Sequence, residues 1–144
     1  MMFVRPLEAR DRAQWEPLWQ GYLEFYEKPL SREVTEHTWS MLMSDTGHAG
    51  FAAVESERVI GVAHYLVHPS TWSIGGYCYL EDLFVAPNAR GKGAGRLLIE
   101  AVYKIADEKG CTRIYWNTQA TNTRARALYD KVAKVSEFVQ YRRQ

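Results

Sequence analysis

The groups able to do chemistry in this chain crowd between Glu81 and Arg96, within YLEDLFVAPNARGKGAGRLL from Tyr79 to Leu98, where a strand, a glycine-rich turn and a helix start follow one another. The first turn of a helix carries unpaired backbone N–H groups and the positive end of the helix dipole, and such an arrangement receives phosphates. Gly91, Gly93 and Gly95 let an anion approach that backbone, with Ala94 between them, while Arg90, Lys92 and Arg96 add positive charge. Two common glycine fingerprints do not fit. The P-loop needs GxxxxGK[ST] and the dinucleotide motif needs GxGxxG, but the sixth position counted from Gly91 is Arg96, and from Gly93 it is Leu98. The competing reading is a tight strand-to-helix turn with solvated basic side chains.

Just upstream, Glu81 and Asp82 are the candidate bases. Neighbours on a regular strand point to opposite faces, so only one of them can face a substrate there. A charge in the middle of a central strand is costly unless hydrated or paired, so pairing with a nearby arginine is the alternative role. Tyr129 falls on a helical stripe with Ala125, Leu128 and Val132, and periodicity alone makes it a core tyrosine. Asn122 precedes that helix as an N-cap. His64 and His68, both on one strand, stand roughly 13 Å apart, too far to share an ion, and no metal site is expected.

The elements that must position these groups can be read in order. Phe3 to Arg5 is a short strand, and Asp11 to Tyr26 a helix with Trp15, Leu18, Trp19, Tyr22 and Tyr26 on one face, ended by Pro29. Ser31 caps a second helix running to Met43. Gly47 to Gly50 reads as a turn, Phe51 to Val54 and Val59 to Val67 as a hairpin stopped by Pro69, and Tyr77 to Val85 as a long strand bounded by Gly75-Gly76 and Pro87. Gly93 to Glu108 is helical with Gly110 as its stop, Thr112 to Thr118 a strand, the Asn122-capped segment a helix, and Phe138 to Tyr141 a closing strand. The order βααβββαβαβ predicts an α/β domain with a mixed sheet. No repeat or linker divides the chain, so residues 1–144 are expected to form a single domain.

The bulk properties narrow the classes of function. With 144 residues and a formal net charge of +1, the chain has no whole-protein field for nucleic acid, and no nucleic-acid partner is expected. No stretch approaches the ~18 apolar residues of a membrane span, and the N-terminus lacks the apolar run of a signal peptide. Cys78 and Cys111 form no framework, which fits a reducing compartment, the cytoplasm. The glutamates at 24, 27, 33 and 36 read as a solvated helix surface able to attract a polycation.

Arg90-Gly91-Lys92-Gly93-Ala94-Gly95 matches the R/Q-x-x-G-x-G/A signature, and the chain resembles the GNAT superfamily of N-acetyltransferases. The order of elements agrees along the whole chain; the specific part runs from Tyr77 to Lys131. The resemblance implies a mostly antiparallel sheet flanked by helices and acetyl-CoA as co-substrate, with no metal. It implies that the loop amides hold the coenzyme pyrophosphate and that Leu83, Phe84, Val85 and Asn122 also border the coenzyme. It also implies that Glu81 is the base, usually acting through water, and that Tyr129 is an acid near the coenzyme sulfur. LEDLFV together with LYDK resembles the diamine and polyamine branch and is similar to the yeast histone and polyamine acetyltransferases. The acceptor implied is a primary amine of a small molecule (polyamine, diamine or amino-acid-like) or a protein lysine, and relatives are often homodimers. One departure stands out: Ala133-Lys134 follows the last helix where family members often have Gly-Phe. A non-catalytic acyl-CoA sensor is the rival reading.

Overall fold

The computed structural model describes residues 1–144. Strands β1 (Met2–Pro6), β2 (His48–Glu55), β3 (Arg58–Ser70) and β4 (Ser73–Val85) pair antiparallel in sequence order, and β5 (Arg113–Tyr115) joins β4 in parallel. The sheet is thus mixed and mostly antiparallel, as expected. Helices α1 (Arg12–Phe25) and α2 (Arg32–Met43) cover one face, where Trp15, Trp19, Leu42, Val62 and Phe84 form a core. Helix α3 (Ala94–Glu108) covers the other, burying Leu98, Ile99 and Val102 against Ala63, Tyr65 and Cys78. Helix α4 (Thr123–Val132) leans Leu128, Tyr129 and Val132 onto that second core.

Local chemistry explains the helix ends. The Ser31 hydroxyl accepts from Val34 N–H at 3.2 Å, and Asn122 Oδ1 accepts from Ala125 N–H at 3.3 Å, so both expected caps are made. Helix α1 ends at Phe25, before Pro29. Glu27 adopts φ +51° and Lys28 N–H returns to the Leu23 carbonyl, a left-handed stop made without glycine.

Several strand boundaries differ from the sequence reading. His48 to Gly50 belong to β2 rather than to a turn, because His48 finds a ladder partner in Leu66. Pro69 does not stop β3; it falls in a register irregularity between His68 and Ser70, where a missing N–H breaks no ladder bond. For the same reason β4 starts at Ser73 and runs through Gly75-Gly76. Strand β5 is only Arg113–Tyr115, since it pairs with Tyr77 to Tyr79 alone. Phe138 to Tyr141 is not a strand: the chain leaves α4 in extended backbone at Ala133, no ladder receives it, and Phe138, Val139 and Tyr141 are exposed. A period-two apolar pattern makes a strand only where backbone groups find partners.

One close approach ties β4 to the end of α3. A Cβ built on Gly75 would stand 1.8 Å from the Gly110 carbonyl oxygen, a backbone atom that cannot swing away. Gly75→Ala is therefore expected to cost about 1–3 kcal/mol through forced backbone displacement, read as a lower urea midpoint. An unchanged midpoint would show that the two segments do not meet this closely.

Candidate active site

Past Val85 the chain makes one 3₁₀ turn, Pro87–Ala89, and reaches the loop. Gly91 and Gly93 have φ of +85° and +88°, the left-handed region that glycine occupies without strain. These two angles turn the backbone so that the first helical bond is Leu97 N–H to the Gly93 carbonyl at 3.1 Å. None of the backbone N–H groups from Gly91 through Arg96 donates to another backbone group. The space a Cβ would enter at Gly91 and Gly93 is open, whereas one at Gly95 would meet Leu128 at 3.3 Å. A row of free donors facing open space at the positive end of a fifteen-residue helix fits a pyrophosphate. Ala94 is buried and fixes the loop to the core. The cations are less committed than the sequence implies. Lys92 reaches Glu55 at 3.0 Å, Arg96 lies 3.6 Å from Glu100, and the Arg90 guanidinium sits 5.8 Å over the Phe84 ring. Such exposed pairs are weak and exchange readily.

The strand before the loop is not regular. His64 pairs with Asp82 while Tyr65 pairs with Leu80, which leaves Glu81 as the extra residue of a β-bulge. Before it, Cys78 and Leu80 face the α3 core; after it, Leu83 and Val85 face that core and Phe84 faces α1. The expectation that Glu81 and Asp82 point to opposite faces is therefore overturned. Both line one cavity of about 210 Å³, together with Trp19, Met41, His48 and His64.

Each carboxylate has a histidine partner. His48 Nε2–H donates to Glu81 Oε1 at 2.9 Å, and His64 Nδ1 lies 3.0 Å from Asp82 Oδ2. No lysine or arginine comes within 4.0 Å of either, so the alternative pairing with an arginine does not occur. Glu81 is partly open to solvent; Asp82 is largely enclosed. The sequence reading weighed His64 only as a metal ligand and left His48 inside a turn, and so missed both. The signal was present in the spacing, since a histidine two residues from Val62 on a strand shares its inward face.

Glu81 also borders a second, smaller cleft with Tyr22, Tyr26, Trp116, Asn117 and Tyr129. The Trp116 and Tyr129 rings meet edge to face at 5.4 Å. Burial, with a smaller contribution from Tyr26, pushes the Tyr129 phenol up to about 12. Burial and then the Asp82 charge hold the Tyr22 phenol far above its usual value. Tyr129 thus joins the carboxylate end of β4, and Asn122, at the start of the same helix, holds its Nδ2 3.5 Å from Thr118 Oγ1. Because β5 ends its pairing at Tyr79, Leu83, Phe84 and Val85 have no β5 neighbour.

A mixed sheet with a free-amide loop at the end of its fourth strand and two carboxylates just before it has the features of an enzyme site that pairs an anionic ligand with a cationic one. The model of the acetyltransferase (GNAT) family matches residues 14–133, and the chain belongs to that family. It is 39% identical to the D-amino-acid N-acetyltransferase HPA3 of Saccharomyces cerevisiae, over 97% of this chain and 89% of the yeast protein. It is 36% identical to a thialysine N-epsilon-acetyltransferase of Caenorhabditis elegans, over 60% of this chain and 54% of that one. Both relatives fit the polyamine and histone acetyltransferase branch. The fold superposes on AAC(6')-Iy, solved with the bisubstrate analogue CoA-S-monomethyl-acetylneamine, with a TM-score of 0.87 at 21% identity, covering 100% of this chain and 98% of that one.

The environment of Tyr129 can be checked directly. In a spectrophotometric titration, the difference between wild type and Tyr129→Phe should show no phenolate step up to about pH 11, because burial penalises the charged form. A step near pH 10, the value of a solvated phenol, would place the ring in water.

Proposed function

We propose that residues 1–144 act as one domain that transfers the acetyl group of acetyl-CoA to a primary amine, with small amines (polyamine, diamine or amino-acid-like) favoured over a protein lysine. The observation that carries this reading is the convergence of two carboxylates at one bulge, with no lysine or arginine within 4.0 Å of either, beside a buried phenol that borders the same cleft as Glu81. The favour for small acceptors rests on the cavity, which α2 closes over with Thr38, Met41 and Leu42. Relatives named for D-amino acids and for thialysine act on acceptors of that size. The reading extends to a cytoplasmic homodimer without metal or nucleic acid. Its supports are two free cysteines, an unpartnered apolar tail and the near-neutral charge.

Acetyl-CoA supplies an activated thioester; the protein supplies charge and orientation. In this reading the amides of Gly91 to Arg96 hold the pyrophosphate, and Leu83 to Val85 with Asn122 border the rest of the coenzyme. The acceptor arrives as an ammonium with a pKa of about 10.4, so neutral pH leaves about 4.6 kcal/mol of deprotonation to be supplied. Asp82 and Glu81 attract the cation. Glu81, partly solvated and oriented by His48, takes its proton directly or through water and passes it to solvent. Tyr129 keeps its proton at working pH and offers it, or a hydrogen bond, to the sulfur as thiolate charge develops.

Two measurements test this. Acetyl-CoA at about 100 times its Kd should raise the melting temperature by about 5 °C or more, and Gly93→Glu, which sets an anion where the pyrophosphate would lie, should abolish the shift. A folded variant still stabilised by the coenzyme would remove the loop from the site. Glu81→Gln should retain that thermal shift yet lower the rate with high-pKa amines by about 10²–10⁴-fold at neutral pH. The deficit should narrow as rising pH supplies neutral amine. Equal deficits at every pH would exclude Glu81 as the base, and no released coenzyme thiol with any amine would leave a sensor.

A further inference from the structure

We propose that Trp15 and His64 are positioning residues for the acceptor: Trp15 fixes the proton of His64 on Nδ1, and His64 in turn fixes Asp82 as an uncompensated carboxylate aimed into the acceptor cavity. The argument starts from the indole, whose Nε1–H donates and never accepts. Trp15 Nε1 lies 3.0 Å from His64 Nε2, both side chains being fully buried. Nε2 must therefore present its lone pair, which leaves the ring proton on Nδ1. Nδ1, on the opposite side of the ring, is 3.0 Å from Asp82 Oδ2 and donates its proton to it. Rotating the ring by half a turn would set carbons against both partners, so the two contacts determine the orientation and the tautomer together.

The electrostatic consequence is specific. An imidazolium beside Asp82 would cancel its charge, and the other tautomer would turn a lone pair toward it. The Nδ1–H tautomer does neither. It holds the carboxylate with a charge-assisted hydrogen bond and adds no positive charge. The other groups that face Asp82 carry none either: the Tyr22 hydroxyl from α1 is held neutral by burial, and no lysine or arginine comes within 4.0 Å. Glu81, the remaining charge on this wall, has the same sign and is occupied by His48. An enclosed carboxylate held by neutral donors leaves its full attraction for an incoming ammonium. Trp15 is fully buried, stacked on Trp19 and tilted against Trp39, so the chain of contacts is anchored in the core beneath α1 and α2.

This inference rests on the reading of the cavity as the acceptor site, and the experiment separates the two. Ring-nitrogen NMR of ¹⁵N-labelled wild type should show His64 protonated on Nδ1 and bare on Nε2; the proton on Nε2 would overturn the proposal without any variant. Trp15→Phe keeps an aromatic side chain, smaller than the indole, and removes the donor. It should abolish the fixed tautomer and raise the amine KM by about tenfold or more, the size of a lost hydrogen bond to a charge. The kcat at saturating amine should stay within about threefold, and acetyl-CoA affinity should be unchanged. His64→Asn, whose amide nitrogen can take the place of Nδ1, should keep KM within about threefold, whereas His64→Leu should raise it as Trp15→Phe does. Folded Trp15→Phe with an unaltered KM, or equal losses in His64→Asn and His64→Leu, would reduce both residues to packing. Asp82→Asn decides the level of failure. If it raises KM while Trp15→Phe does not, only the positioning role falls; if it leaves KM unchanged, the acceptor-site reading falls with it.

Discussion

The register of β4 against β3 slips by one residue at Glu81, and the arrangement of both faces of the sheet follows from that slip. Up to Leu80 the inward side chains of β4 serve the α3 core, and the phase then shifts, so that Phe84 serves α1 while Leu83 and Val85 serve α3. Without the extra residue, Glu81 and Asp82 would lie on opposite faces, and one of them would be driven into the apolar packing around Leu98 and Val102. With it, both carboxylates open on the α1 and α2 side. The bulge also coincides with the end of pairing to β5, since the parallel ladder stops at Tyr79. One local irregularity thereby gathers two acids and frees the strand beyond them.

The same strand separates charge along its length. Its bulge carries the carboxylates, and its C-terminal end leads, through Pro87–Ala89, into a loop of unbonded N–H groups at the dipole-positive end of α3. A substrate pair of opposite character, an anionic coenzyme and a cationic amine, matches that separation, and the buried phenol of Tyr129 borders the cleft at the carboxylate end. Electrostatic stabilisation needs groups already oriented before charge develops. Here orientation comes from the core. His64 is locked from below by Trp15, Ala94 is buried at the foot of the loop, and Leu128 packs against Gly95 to set α4 over the start of α3.

Much of this was legible in the chain because the informative signals are local. The glycine-rich loop, the caps at Ser31 and Asn122, and the helical stripes are properties of short segments, and each was found where its residue types placed it. Strand limits were harder to read. Pro69 and the Gly75-Gly76 pair are ordinary breakers by local rules, yet β3 and β4 carry them inside register irregularities that only pairing can reveal. Phe138 to Tyr141 failed in the opposite way, for it has the pattern of a strand but no partner. His64 was legible as a strand residue, His48 was hidden in what reads as a turn, and neither was legible as a partner of Glu81 or Asp82, because that contact depends on the bulge.

The rule that failed at Glu81 identifies the site more sharply than the rules that held. Strict alternation would have made an acidic pair in a central strand an energetic error, one charge always facing apolar packing. A sequence that folds must resolve such a conflict, and places where local rules are broken concentrate at functional positions. The chain resolves it by bulging the strand, enclosing the cavity with α2 and supplying histidines rather than arginines as partners. Arginines would have stabilised the acids and also cancelled the charge that an amine acceptor needs. At Asp82 the donor is a His64 ring whose Nε2 already accepts from Trp15, so the enclosed oxygen is satisfied and the negative charge stays in place for a cationic group.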